Sequence, residues 1–482
     1  MNRRAWWPWA ALVAATAIGA ALRLAALGQE CLWADEYYTI RTAGAPTLRE
    51  LMRMVATIEP HPPLFFLVMH GWIGLFGSGD AALRMPSALA GILAIPLMFM
   101  MMRRLWPERP GAAALAAFLI AISPMHLNYS QEARAYAMQV TMELAALAAL
   151  AWGMGPQKRA TEVWMPLAAA AAVAAIWFQY YSAFIWLAVL LAIWAARRTV
   201  SRRAYYGSLA VMVVGGGAPI LMALWRAHGH WGEDLPFMPP SYGPELLFYV
   251  MRAQALGPWF SPLPLWADDA VVGVGAALLA LGVYELWRGR GERRGGALVI
   301  GLALACMLAV PVAVSFVKPI VYYGQRYLVI AVPPVVALLA LAATGPRRRI
   351  GMALLAVLIA AQGFYLYSYY AHRQKQTWDL VARELDRMAE PGATLWVMPA
   401  RAVPLLERYL KSKHPVLGAD SIAAAAAGMK QSPGPQYVVS YADLAADFAR
   451  AGLAPGRQSL FETHRPGQEL WLVMFTPVGQ MK

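Results

Sequence analysis

With 482 residues, of which 60% are hydrophobic and only 14% charged, the chain cannot bury its apolar side chains in one water-soluble core, and a multi-pass membrane protein is expected. The formal charge of +14 sits mainly in short Lys and Arg runs between apolar segments, where it acts as a topology signal, so no nucleic-acid partner is expected. Two distant cysteines, Cys31 and Cys306, exclude a disulfide framework and a Cys-based metal site.

In chain order, eleven stretches read as membrane helices: 7–27, 86–102, 111–127, 135–152, 163–179, a short sixth at 182–196, 205–225, 270–287, 296–316, 327–343 and 350–367. The first follows Arg3 and Arg4 and superficially resembles a signal peptide. It is long enough to span and has no persuasive cleavage site, so it is read as a retained helix. Five later basic clusters, beginning at Arg103, Lys158, Arg197, Arg288 and Arg347, are each separated from the next by two of these stretches. Together with the N-terminal arginines they belong on the cytoplasmic side. The apolar stretch 61–77 would invert every later cluster if it crossed, so it is expected to lie in the outer interface, beneath the loop that carries Asp35.

This topology divides the chain into a transmembrane domain over 1–370, with a first periplasmic loop at 28–83, and a soluble domain over 371–482. In the latter, 377–388 and 442–451 read as helices, 394–398, 437–440 and 469–475 as strands, and 423–428 as a helix or connector. The result is a small α/β domain on the outer face.

The outer face also collects the residues suited to chemistry. Asp35 and Glu36, adjacent acids just beyond the first span, are suited to proton abstraction at a lipid–water interface. His61 precedes two prolines that fix its backbone, which fits either a hydrogen-bond or phosphate contact or an incidental helix start. Arg134 lies where the fourth span re-enters the bilayer, placed to clamp a lipid phosphate. Glu132, Tyr136, Gln139 and Glu143 share one face of that helix, and Glu143 reads either as an interhelical hydrogen-bond partner or as a direct participant. Lys318 and Arg326 sit in an aromatic loop on the side where cations are scarce, which suits an anionic head group. His228 and His230 have a spacing that fits a metal, but no helix presets them, and no metal site is assigned. Asp268 and Asp269 read as caps of the eighth helix.

Several motifs stand in a recognisable order. They are the Asp35–Glu36 pair, His-Pro-Pro-Leu at 61–64, Arg84 with Pro86 and Ser87, Ser-Gln-Glu-Ala-Arg at 130–134, and Arg326-Tyr327 ahead of Pro333 and Pro334. Together they resemble the GT-C glycosyltransferases, in particular the glycosyltransferase family 39 group of protein O-mannosyltransferases and aminoarabinose transferases. The resemblance covers roughly residues 1 to 390. It implies a mostly α, polytopic bundle of GT-C type in the inner membrane, with a cytoplasmic N-terminus and a periplasmic C-terminal domain. It also implies a polyprenyl-phosphate sugar donor and a hydroxyl acceptor that is a protein, a lipid or a polysaccharide. By matching position, Asp35 would be the general base of an inverting transfer and Glu36 would orient acceptor or loop. His61, Arg134, Lys318 and Arg326 would neutralise the departing phosphate, with Tyr136 and Tyr327 in the same donor-binding set. Members of the superfamily differ in their use of a divalent ion; this sequence shows no acidic triad, so no cofactor is expected. The competing readings are a lipid or solute transporter or flippase, and a ligase that uses a diphosphate-linked glycan.

Overall fold

A computed structural model of the chain describes residues 6–154, 158–229, 245–258, 261–289, 294–316, 325–432, 434–453, 455–463 and 469–475. The helices begin with α1 (Trp7–Leu24), α2 (Ala34–Ala43), α3 (Leu48–Thr57), α4 (Pro63–Phe76), α5 (Asp80–Leu105), α6 (Pro110–Ile122) and α7 (Pro124–Ser130). They continue with α8 (Tyr136–Gly153), α9 (Lys158–Phe178), α10 (Ala183–Ala196), α11 (Arg202–Gly229), α12 (Glu245–Leu256) and α13 (Leu265–Arg288). After these come α14 (Arg294–Leu304), α15 (Val310–Ser315), α16 (Val332–Thr344) and α17 (Arg348–Ala371). The chain forms two compact units. The first comprises Met1–Leu27, Thr42–Ser78 and Ala82–Tyr367; the second comprises Gly28–Arg41, Gly79–Ala81 and Ser368–Lys482.

In the first unit every stretch read as a span falls on a helix. Among the described residues, eight helices are long and apolar enough to cross a membrane, and the pair α6 and α7, bent by 54°, would make a ninth. The other two expected spans fall on α8, whose Gln139 and Glu143 lower its hydropathy, and on α10, with fourteen residues. The interfacial candidate α4 also has fourteen residues, about 21 Å of helix against a hydrocarbon core of about 30 Å. Length does not separate α4 from α10. Close approach of helices rests on small residues, as expected where lipid removes the usual hydrophobic drive. A Cβ on Gly282 of α13 would collide with the Leu338 carbonyl of α16, and one on Gly351 of α17 with the Ala342 carbonyl.

The bend between α6 and α7 has a local cause. Pro124 lacks an N–H and holds Ser123 extended, so the last carbonyls of α6 lose their helical donors. Fully buried Arg23 supplies them: Nη1 donates to Ala121 O at 2.9 Å and to Gly19 O at 3.0 Å, and Nη2 donates to Ile120 O at 3.1 Å. The same guanidinium reaches His126 Nδ1 at 2.8 Å and Ser130 Oγ at 3.3 Å. From the other side, Gln131 Nε2 donates to the carbonyls of Leu22, Arg23 and Ala25, closing the end of α1.

In the second unit, β1 (Thr394–Met398), β2 (Val416–Gly418), β3 (Gln436–Ser440), β4 (Pro455–Phe461) and β5 (Leu470–Phe475) form one sheet in the order β2-β1-β3-β5-β4. β2, β1 and β3 run parallel, and β5 and β4 continue antiparallel. The central β1 and β3 are buried along their whole length, with the apolar runs 395–398 and 437–439 at their centres. Helices α18 (Trp378–Met388), α19 (Val403–Tyr409), α20 (Ile422–Gln431) and α21 (Ala445–Arg450) complete the unit, with Trp396, Met429, Val438, Phe448 and Phe475 in its core. The small α/β domain read from the sequence is present. Its 423–428 stretch lies within α20, started by Ser421 Oγ accepting from Ala424 N–H.

Candidate active site

The carboxylate pair opens α2. Trp33 precedes the helix, and Glu36 Oε2 reaches back to the Trp33 N–H at 3.4 Å, the carboxylate half of a capping box. The other Glu36 oxygen lies 3.2 Å from Lys375 Nζ, with 0% and 2% of the two side chains exposed. Gln376 Oε1 accepts from the Ala34 N–H at 3.3 Å and from Trp378 Nε1 at 3.0 Å. Cys31 Sγ donates to Gln376 O at 2.7 Å, and Leu32 N–H donates to the Tyr409 hydroxyl at 2.7 Å. That hydroxyl donates in turn to Asp80 Oδ2 at 2.7 Å, while Arg408 Nη2 holds Asp80 Oδ1 at 2.7 Å. Burial pushes the Tyr409 phenol up, so it stays protonated and keeps this relay directed. The turn that presents Asp35 is therefore fixed on both sides. Asp35 itself is half-buried in the first helical turn.

The remaining assigned residues belong to the first unit. His61 is buried at the entry to α4, its Nδ1 3.2 Å from Gln179 Nε2. Arg134 is buried between α7 and α8, and its carbonyl accepts from Ser87 Oγ at 2.9 Å. Tyr136 packs edge-on against Tyr129 at 5.0 Å, and its buried hydroxyl has no partner among the described residues. Tyr327 stacks on Tyr181 with ring centroids 4.0 Å apart and planes within 4°. Arg326 beside it is half-buried. Lys318 lies outside the described residues, as do the side chains of His228 and His230. Among the described residues no group of three His, Cys, Asp or Glu could hold a metal.

Glu143 accepts from Gln139 Nε2 and from Ser182 Oγ, each at 3.0 Å, so it joins α8 to the turn before α10. Asp268 does more than start α13: it pairs with Arg252 Nε of α12 at 3.0 Å and accepts from Ser261 Oγ. Residues of two motifs also hold backbone in place. Arg84 Nη1 donates to Leu27 O at 3.0 Å, and Ser87 and Gln131 hold the Arg134 turn and the end of α1. Sequence reasoning passed over Arg23, Lys375 and Gln376. A lone arginine in the first apolar helix and a polar run directly after the last one were the available signals.

Comparison with known proteins agrees with this architecture. The sequence profile of the dolichyl-phosphate-mannose-protein mannosyltransferase family matches residues 60–222. No curated protein sequence matches the chain. The chain is similar in fold to ArnT from Cupriavidus metallidurans, at 15% identity and a TM-score of 0.57 over 96% of this chain and 97% of that one. The structure of that protein bound to undecaprenyl phosphate gives 15% identity and a TM-score of 0.54 over the same shares. The oligosaccharyltransferase of Archaeoglobus fulgidus in its apo form shares 12% identity over 90% of this chain and 70% of that one, with a TM-score of 0.54. The resemblance carried by the motifs is borne out: the fold is of GT-C type, in a multi-pass membrane protein.

Proposed function

We propose that the protein is a membrane glycosyltransferase that moves a sugar from a polyprenyl-phosphate carrier to an acceptor hydroxyl on the periplasmic face, with inversion and with Asp35 as general base. The observation that supports this best is the rigid presentation of Asp35. Asp35 is half-buried at a helix start, in a turn that its neighbour Glu36 anchors through Lys375 and the Trp33 N–H. Glu36 thus has a positioning task, and Asp35 is assigned the proton transfer. The likeness to a protein solved with undecaprenyl phosphate, and the match to a dolichyl-phosphate-mannose family, support the carrier.

The chemistry sets two demands. The acceptor oxygen bonds to the anomeric carbon as the bond from that carbon to the phosphate oxygen breaks, and the acceptor proton passes to Asp35. The departing phosphate keeps the electron pair, so cations must meet its charge. His61, Arg134, Lys318 and Arg326 are assigned that role, with Tyr136 and Tyr327 as donor contacts. The five basic clusters support the orientation, with the N-terminus in the cytoplasm and the C-terminal domain outside, by the preference of basic runs for the cytoplasmic side. Purified protein in lipid, supplied with labelled polyprenyl-monophosphate sugars and a panel of acceptors, should release polyprenyl phosphate. Consumption of diphosphate-linked glycans alone would instead identify a ligase, and movement of the lipid without release a flippase.

A further inference from the structure

Between α10 and α11 the first unit carries an open apolar cavity of about 370 Å³, lined by Leu190, Leu191, Ile193 and Trp194 of α10 and by Tyr205 and Leu209 of α11. On one side the two helices close on each other. Trp186 Nε1 donates to Met212 O at 3.1 Å, and Gly216 leaves space for that indole, since a Cβ there would collide with it. On the other side residues 197–201 join the helices, with Thr199 Oγ1 donating to Ala196 O at 2.9 Å and Ser201 Oγ accepting from Ala204 N–H at 3.2 Å. The cavity lies between this turn and the Trp186 contact. It belongs to a lipid-facing surface: only 22% of the apolar window of α11 is buried by protein, and Leu191, Val213 and Val214 are exposed. Four arginines, Arg197, Arg198, Arg202 and Arg203, stand at the connecting turn. All are exposed, and none pairs with a carboxylate among the described residues. The Arg197 guanidinium lies over the Trp194 ring at 4.0 Å and donates to Trp194 O at 2.9 Å, so the charge begins directly at the cavity wall.

We propose that this cavity is a binding site for an anionic phospholipid of the leaflet on which the basic clusters lie, with one acyl chain in the cavity and the headgroup phosphate met by the arginines of the 197–203 segment. The lining is aliphatic and aromatic throughout, which is what a hydrocarbon chain requires and what a polar ligand would not choose. Trp194 and Tyr205 stand next to the basic turn, as aromatic side chains do at the level of lipid headgroups. Guanidinium groups match phosphate oxygens in pairs, and unpaired cations at a membrane surface draw anionic lipid to it. A zwitterionic lipid would bring its own positive charge to four arginines that have no carboxylate to offset them. The lining spans four residue steps on each helix, about 6 Å, which is too short to seat a partner helix about 10–12 Å across. This site is independent of the transfer reaction and of the role given to Asp35.

The test is photo-crosslinking of the full-length protein in phosphatidylcholine nanodiscs that contain a trace of phosphatidylglycerol or phosphatidylcholine with a diazirine in one acyl chain. Labelled peptides are then mapped by mass spectrometry. The expected result is phosphatidylglycerol label concentrated on 190–209, about fivefold or more above the phosphatidylcholine label there, the scale of one arginine at a membrane surface. Arg197→Gln with Arg198→Gln, and separately Arg202→Gln with Arg203→Gln, should bring the phosphatidylglycerol label down toward the phosphatidylcholine level. Each pair leaves two arginines in the turn to hold the topology, and all four positions are exposed, so these variants do not endanger the fold. Leu209→Trp, which fills the cavity, should lower the label from both lipids. Arg348→Gln with Arg349→Gln, exposed in another basic cluster, should leave the label on 190–209 unchanged. Equal labelling of 190–209 by the two lipids would mean ordinary annular lipid and overturn the proposal. So would wild-type labelling in both arginine pairs or in Leu209→Trp, or an equal loss in the Arg348 and Arg349 control, which would mark a general effect of surface charge.

Discussion

Lys375 Nζ lies 3.2 Å from Glu36 Oε1, with 2% and 0% of the respective side chains exposed, joining two residues 339 positions apart. A buried ion pair contributes little net stability over an apolar pair of the same shape, but loss of one partner strands a buried charge. Its use here is geometric: it fixes the turn that carries Asp35.

Lys375→Met is therefore expected to destabilise the protein by about 3–5 kcal/mol. The double variant Lys375→Met with Glu36→Gln should recover a large part of that loss. Thermal unfolding of the three proteins in one detergent checks it; equal losses in the single and double variants would show that the pair is not coupled.

Arg23→Met should loosen the bend between α6 and α7. It leaves the Ile120 and Ala121 carbonyls without the donors they have now, at about 1–3 kcal/mol for each group left unpaired. Hydrogen exchange over 118–134 should rise, because this segment leads directly into Arg134.

Gly282→Leu should separate α13 from α16, since even a Cβ at this position meets the Leu338 carbonyl. The expected readout is a lower melting temperature, with Gly289→Ala as the tolerated control because its Cβ meets nothing within 4 Å.

Two carboxylates give the C-terminal domain a pH dependence of defined sign. Burial opposes the charge of Asp379, but the Arg373 hydrogen bonds at 2.7 and 3.1 Å and its charge outweigh this and hold the carboxyl below the ordinary range. Burial likewise opposes the charge of Asp386, and the N–H groups of Ser412 and Lys411 at 2.7 and 3.1 Å hold it low. A folded pKa below the unfolded value means that the unfolded state binds more protons. This stabilisation is thus complete above the ordinary carboxylate value near 4 and is lost as pH falls through the folded values. Unfolding followed from pH 7 to pH 2 should show the domain weakening only below about pH 4, and Asp379→Asn should flatten part of that loss.

The helices were legible because bilayer length and basic clusters are written into the sequence itself. The break at Ser123–Pro124 was visible as a proline, yet 111–127 reads as one span, because its sealing by Arg23 needs contacts about 100 positions apart. β1, β3 and β5 were legible as buried apolar runs. The three-residue β2 carries too little pattern, and β4, an edge strand with exposed Arg457 and Gln458, resembles a loop. Asp35, Arg134 and Arg326 stood out as charges in unusual places. Lys375 did not, because nothing local distinguishes a lysine that will be buried against Glu36 from one left in solvent.

The account turns on Asp35. Single-turnover release of polyprenyl phosphate from a labelled donor, by wild type and Asp35→Asn at equal donor occupancy, tests it most directly. The account predicts a fall of about 10²- to 10⁴-fold in rate for the variant, the range for loss of a general base, with donor binding unchanged. An Asp35→Asn protein that releases polyprenyl phosphate at the wild-type rate would contradict it.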